Sequence, residues 1–468
     1  MASEALGAVS AKDGGGMILE RSRPLRFFTL FILYVGQGMP IGLFWFAIPA
    51  WMAVNGASLQ QIGTVGFFTT LPWSLKLVNG FFMDRYTFLA MGRRRIWILG
   101  SQLIMIAGLL TAVALNPDAT NVLILSAIGF SVNVATTFQD VAVDGLAVDI
   151  MTEDERARGS GMMFGGQAIG IAVATALTGR VIGDYGAQAA YLSVAAIIFV
   201  LCVYIASFRE RVGERRLPWS NGEAHQRNLD VQLDAWWPLL KSTFVSLKTR
   251  TSILWVILLF NGGIMYGTLT GGGAVLGADY VGWDEAQITG QTAIAGLVAG
   301  ALCITLGGWL GDKFGAKPIG ILWISLSIAL MIAMVMLSPL WSSPILFVIF
   351  LYGWLALNNL RTVALLPISM RLCDTKVAAT QFTIYMAINN FGISFGGYLL
   401  SQADKLGGFS SIFVASGLGQ LVGLILLLTV KFPRRPEFYA KQTEAAMVFD
   451  SAGPLPEAAP ARPSSAKS

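Results

Sequence analysis

Long apolar runs, recurring from one end of the chain to the other, constrain this sequence more than any other feature. Twelve can be counted, at 27–53, 59–83, 96–115, 120–150, 157–181, 188–208, 251–276, 286–310, 318–338, 344–370, 377–402 and 410–431. A helix needs about 20 residues to cross the hydrocarbon core of a bilayer, and every run meets that length. No water reaches the backbone there, so a spanning segment must satisfy its own N–H and C=O groups, as a helix does. The expected fold class is an all-α membrane protein with twelve transmembrane helices. Of the 468 residues 55% are hydrophobic and only 13% are charged, against about a quarter charged in soluble domains.

The net charge of +5 does not point to nucleic acid, because the positive residues sit in short loops between apolar runs. Arg85 and Arg93 to Arg95 follow the second run, Arg156 and Arg158 the fourth, and Arg209, Arg211, Arg215 and Arg216 the sixth. Lys313 and Lys317 follow the eighth, Arg371 and Lys376 the tenth, and Lys431, Arg434 and Arg435 the twelfth. The intervening loops at 54–58, 116–119, 182–187, 277–285 and 339–343 carry no Lys or Arg, and Lys405, between the eleventh and twelfth runs, is the single exception on that side. Lys and Arg accumulate in cytoplasmic loops, so both termini are expected in the cytoplasm, in a bacterial inner membrane. Residues 1–26 read as a polar cytoplasmic tail without a cleavable signal, and 433–468, rich in Pro, Ala, Ser and Glu, as a disordered one. Cys202, Cys303 and Cys373 show no metal or disulfide spacing, and His225 lies in a polar loop. No nucleotide motif, zinc signature or catalytic triad is present, so neither an enzyme nor a cofactor is expected.

The chain repeats itself. Gly80-Phe-Phe-Met-Asp84-Arg85 after the second run matches Gly308-Trp-Leu-Gly-Asp312-Lys313 after the eighth. Tyr34-Val-Gly-Gln-Gly-Met-Pro in the first run echoes Phe260-Asn-Gly-Gly-Ile-Met-Tyr in the seventh. Two six-helix repeats of the same orientation are expected, at 27–208 and 251–432, joined by a cytoplasmic linker at 209–250. Within the linker, Trp236-Trp237-Pro-Leu-Leu-Lys-Ser-Thr-Phe-Val-Ser-Leu-Lys reads as an amphipathic helix, lying either on the inner membrane surface or against the bundle. Parallel six-plus-six repeats resemble the plan of the major facilitator superfamily.

Four charged residues lie deep inside the apolar runs, away from their ends: Lys76, Asp140, Asp144 and Arg361. A charge at the bilayer centre costs about 2.5–3.5 kcal/mol even on the lenient insertion scale, so such residues pair, face water or act on a ligand. Asp140 and Asp144 are one helical turn apart on one face. Two carboxylates so placed either bind and release a proton or are permanently paired and fix helix packing. Lys76 is at a depth close to that of Asp140, and a pair between them is expected. Arg361 lies in the tenth run, the repeat partner of the fourth, and its planar fork suits a carboxylate or phosphate. Lys76 and Arg361 are expected to draw an anionic part of the cargo. Gln37, Tyr34, Asn133, Gln139, Gln167, Asn261, Tyr266, Asn358 and Asn389 add hydrogen-bonding groups inside the runs. Each is weak evidence by itself, since polar contacts between membrane helices average below about 1 kcal/mol and often serve packing alone. Gly165-Gly166-Gln-Ala-Ile-Gly170 and Gly392-Ile-Ser-Phe-Gly396 read as close-packing surfaces.

Asp84, Arg85, Arg93 and Arg94, with Asp312 and Lys313 in the second repeat, form a candidate cytoplasmic gate of ionic ties. Asp84-Arg85-Tyr86-Thr87, then Gly92-Arg93-Arg94-Arg95 and Trp97, resembles the AmpG muropeptide permeases, and Glu155-Arg156 with Gly159 and Gly161 fits them as well. Gln139-Asp140-Val-Ala-Val-Asp144-Gly145 is similar to AmpG and still closer to the acetyl-coenzyme A transporters. The resemblance implies the peptide–acetyl-coenzyme A–drug branch of the superfamily, and with it a proton-driven permease importing an anhydro-muropeptide. Relatives that move acetyl-coenzyme A or siderophores keep a different anionic metabolite open, and a ligand sensor that moves nothing is the alternative of another class. The expected partners are a small anionic solute, protons and the lipid bilayer, with the chain a monomer.

Overall fold

The computed structural model describes residues 17–86, 88–152, 155–230, 247–372 and 378–430. The amphipathic helix expected in the linker falls mainly on 231–246, and it lies outside the described residues, as does the tail from 431 onward. The described chain is almost entirely helical. Helix α1 runs from Arg23 to Val54 through a π-helical stretch after Pro40. Helix α2 joins Leu59–Thr70, a 3-10 turn Leu71–Leu75 and Lys76–Arg85. Then follow α3 (Arg95–Leu115), α4 (Val122–Ile150), α5 (Arg156–Tyr185) and α6 (Ala187–Ser207). The second set is α7 (Arg250–Val281), α8 (Glu285–Leu302, continued to Phe314), α9 (Ala316–Met336), α10 (Pro344–Leu372), α11 (Ala378–Ser401) and α12 (Ser410–Thr429).

Ten of these helices are long and apolar enough to cross a membrane. The remaining two, α2 and α11, coincide with the second and eleventh expected spans. Pro72 interrupts α2 one turn before Lys76, and α11 carries Gln381, Asn389 and Asn390. These are also the helices that meet in the middle of the molecule. α2 packs on α11, and α5 on α8.

The helix pairings of the first set recur in the second. α1 packs on α5 as α7 packs on α11; α3 packs on α4 and α6 as α9 packs on α10 and α12. Local chemistry recurs as well: Ser58 with Gln61 forms a capping box at the start of α2, and Asp284 with Gln287 forms one at the start of α8. The glycine-rich stretches do what their composition suggested. A Cβ at Gly166 or Gly170 would strike the carbonyls of Phe31 and Val35 in α1, and one at Gly392 or Gly396 those of Phe260 and Ile264 in α7.

Between the two sets, contact concentrates at the end remote from Arg93 to Arg95. Asn55 donates to Glu285 at 3.2 Å, the Thr70 and Ser394 hydroxyls share a hydrogen bond of 2.9 Å, and Asn390 donates to the Trp73 carbonyl at 3.3 Å. Gly63 lies against the Gly397 carbonyl and the Ser401 amide, leaving no room for a side chain. Among the described residues, Arg180 sits at this end besides Lys405, paired with Asp184 one turn along α5 at 2.7 Å.

The opposite, basic end is clamped by the segment that leaves α6. Glu210 is fully buried and accepts from the backbone N–H groups of Arg93, Arg94 and Arg95 at 2.9, 2.9 and 2.5 Å. It thus supplies a carboxylate to the unsatisfied N-terminus of α3. Gly92 turns there with φ +97, and its hydrogen faces the Glu210 carboxyl, where a side chain would not fit. The Arg95 guanidinium, also fully buried, donates to the carbonyls of Met91, Ile205, Arg215 and Arg216. Glu214 accepts from the Arg211 amide at 2.9 Å and from Asn228 at 2.8 Å. Arg26 grips Glu155 through two nitrogens, at 3.1 and 2.6 Å, and this bonding holds the Glu155 carboxyl below its usual range.

Burial, and then the neighbouring Glu210 charge, push the Glu214 carboxyl up to about 7 from an ordinary 4.5. The folded chain holds that proton more tightly than the unfolded chain, so the stabilisation is complete below about pH 4.5 and lost as pH rises through about 7. Hydrogen exchange across 209–217, corrected for intrinsic rate, is therefore expected to quicken between about pH 5 and pH 7.5, and Glu214→Gln should flatten that rise.

Candidate functional site

Three helices bring the embedded charges together. α4 presents Asp140 and Asp144 on one face, α1 presents Tyr34 and Gln37, and the 3-10 turn in α2 delivers Lys76 to the same level. Lys76 Nζ is ion-paired with Asp140 Oδ2 and stands 3.6 Å from Asp144 Oδ2. Gln37 Nε2 donates to the other Asp140 oxygen at 2.5 Å, and the Tyr34 hydroxyl donates to Asp144 Oδ1. The two carboxylates differ in access: the Asp140 side chain is 4% exposed and that of Asp144 45%. Asp140 is therefore the sealed member of the cluster and Asp144 the more accessible one. One lysine faces two carboxylates, so the cluster holds a negative charge in excess when both are ionised.

Neighbouring polar residues fix this geometry. Trp73 Nε1 donates to Asn133 Oδ1 at 2.9 Å, Asn133 donates to the Gly129 carbonyl at 2.9 Å, and Asn79 donates to Thr137 at 2.9 Å. Gln139 is fully buried and reaches the Leu33 carbonyl at 3.3 Å. Asn133 and Gln139, expected as cargo-binding groups, are thus held in helix–helix contacts, away from solvent. Trp73 and Asn79 escaped the sequence reading, because an indole or an amide in an apolar run gives no sign of its partner.

Arg361 stands apart from this cluster, in α10. It is 6% exposed. Its Nη2 donates to Asn358 Oδ1 at 2.9 Å, and its Nε has no hydrogen-bond acceptor. No carboxylate lies within 4 Å of it among the described residues. Gly262 in α7 makes the room for the guanidinium: a Cβ there would stand 2.6 Å from Nη1 and 2.8 Å from Nη2. Asn389 is half-buried, and its carbonyl packs against Gly263 on the same helix. Asn261 turns back to the Ile257 carbonyl at 3.2 Å, Tyr266 lines a small apolar pocket with Trp45 and Ile393, and Gln167 is half-buried on α5.

At the basic end Arg94 pairs with Asp149 at 3.2 Å and lies on Gly145, while the backbone amides of Arg93 and Arg94 are held by Glu210. Lys313 rests over the rings of Trp309 and Phe314 at 4.9 and 5.3 Å. Asp84, Arg85 and Asp312 lie on helical backbone, and their side chains lie outside the described residues. Glu210 was missed as a member of this network, because nothing in the linker sequence shows that it folds back on α3. Among the described residues no group of three or more His, Cys, Asp or Glu side chains could hold a metal ion.

Residues 27–397 match the sequence profile of the Major Facilitator Superfamily. The anhydromuropeptide permease of Escherichia coli (strain K12) is 25% identical over 411 residues, covering 86% of this chain and 79% of the permease. Among solved structures, the nucleoside transporter NupG superposes with a TM-score of 0.66 at 12% identity, over 86% of this chain and 99% of that one. The peptide transporter POT in complex with sulfate gives 0.60 at 13% identity, over 86% and 93%. Helices long enough to span a bilayer, the recurring pairings and the profile match agree: this chain is a multi-pass membrane transporter belonging to the Major Facilitator Superfamily.

Proposed function

We propose that the chain is a proton-coupled secondary transporter of a bacterial inner membrane that imports an anionic amphiphilic solute, such as an anhydro-muropeptide, by alternating access of two six-helix halves. The observation that carries this reading is the Lys76 cluster, in which two carboxylates share one lysine inside the membrane-spanning bundle. An uncompensated charge at that depth costs about 2.5–3.5 kcal/mol, and one proton removes it. Asp144, the exposed carboxylate, is the natural entry point for the proton, while Asp140 keeps Lys76. The cluster then has a neutral and a charged state, which gives the protein two electrostatic conditions for two conformations to follow. The cargo assignment draws on the similarity to the Escherichia coli anhydromuropeptide permease.

Packing supports the same reading. The two sets of helices touch at the end remote from the arginines, through Gly63, Gly397 and the Asn55–Glu285 bond. Contacts of that kind can separate while the clamp at the basic end, which lies wholly beside the first set, stays intact. With both termini cytoplasmic, cysteines placed at Asn116 or Asp184 are expected to react with a membrane-impermeant maleimide added to intact spheroplasts, and one at Gly213 is not. Labelling of Gly213 alone would invert the topology.

The direct test is uptake of radiolabelled anhydro-muropeptide into proteoliposomes, with and without an inward proton gradient. Wild-type protein should accumulate the solute only with the gradient. In Asp140→Asn the cluster becomes one lysine with one carboxylate and has no excess charge for a proton to remove. That variant should retain exchange of solute and lose gradient-driven accumulation entirely. Undiminished accumulation by Asp140→Asn would sink the coupling assignment.

A further inference from the structure

The four embedded charges balance in total but not locally. The Lys76 cluster has one negative charge too many, and Arg361, in a different helix, has a positive charge that no described carboxylate offsets. The geometry points to Arg361 as a seat for a single carboxylate-sized anion of the cargo, shaped by Gly262 and Asn358, with Lys76 serving only as counter-ion of the proton site. This deepens the transport reading above and rests on it.

Three observations support the assignment. Arg361 is 94% buried yet has a free Nε–H, and its fork is unoccupied except for the Asn358 contact. A planar guanidinium so placed is built for two parallel hydrogen bonds to a carboxylate. Second, the fork is positioned rather than merely present: Asn358, one turn before it on α10, holds Nη2, and the missing side chain of Gly262 leaves space for both terminal nitrogens. Third, Lys76 is committed to Asp140 and Asp144, whereas Arg361 has no carboxylate within 4 Å among the described residues. One anionic group on Arg361 and one proton on the cluster leave both places neutral. A coenzyme A thioester, which presents a phosphomonoester of about −1.5 to −2 charges and a diphosphate besides, would bring far more negative charge than this site can offset. The site therefore selects a carboxylate-bearing solute over a coenzyme A thioester, and it couples one proton to each anion seated.

The experiment uses purified full-length protein in detergent and in proteoliposomes. In ligand-free protein Arg361→Met should raise the melting temperature, because it removes a buried charge without a partner. Benzoate should stabilise wild type and leave Arg361→Met unmoved, whereas inorganic phosphate at equal ionic strength should have little effect on either. Gly262→Ala, which crowds the guanidinium without removing it, should raise the KM for anhydro-muropeptide uptake about 10- to 100-fold, the worth of a charge-assisted hydrogen bond, with kcat nearly unchanged. A lower melting temperature in Arg361→Met, or phosphate stabilising more than benzoate, overturns the proposal. So does an unchanged KM in Gly262→Ala. The melting and benzoate measurements need neither the cargo nor a gradient, so they stand if Asp140→Asn shows that the coupling reading is wrong.

Discussion

Charge inside a bilayer must be matched, and the arrangement of this protein's centre follows from how it is matched. Lys76 can sit at its depth because Asp140 and Asp144 surround it, and Asp140 can be sealed from water because Gln37 and Lys76 occupy its two oxygens. Removing any one of these groups would strand another. Three helices are tied at one level by this requirement, and the Trp73–Asn133 and Asn79–Thr137 bonds then hold α2 on α4. The expense of an unmatched charge is also what motivates the proposals of a proton on this cluster and of an anion at Arg361, which has no carboxylate beside it among the described residues.

The close approach of backbones is the second determinant. Apolar side chains gain little by leaving lipid for one another, so membrane helices associate through packing and small residues. Here glycines bring α1 onto α5 and α7 onto α11 until carbonyls touch Cα atoms. The same device closes the seam between α2 and α11 at Gly63 and Gly397. The clamp of Glu210 and Arg95 adds rigidity at the basic end by satisfying the start of α3 with a buried carboxylate.

Much of this was legible in the chain. Apolar length gave ten of the twelve expected spans outright, because backbone self-satisfaction in lipid leaves few alternatives. The repeated Gly-x-x-x-Asp stretches foreshadowed pairings that recur six helices later. The i, i+4 spacing placed Asp140 and Asp144 on one face, and comparable depth made Lys76 the partner of Asp140. Spacing gave no information about which polar residues face a cavity. Asn133 and Gln139, expected as binding groups, are fully buried here, with Asn133 bonded to Trp73 and Gln139 to the Leu33 carbonyl, because burial depends on which neighbouring helix covers a face.

The sequence by itself determined the helices, their number within narrow limits, the charge asymmetry of the loops and the identity of the embedded ions. These depend on residue type and on periodicity along one segment. Only the tertiary structure decided that Lys76 is shared by two carboxylates while Arg361 has none among the described residues, that Gly262 makes room for the guanidinium, and that Glu210 returns from the linker to cap α3. Each joins residues far apart in the chain whose meeting depends on how helices pack, and pairwise contact at ångström range is a property of that packing and of no single segment.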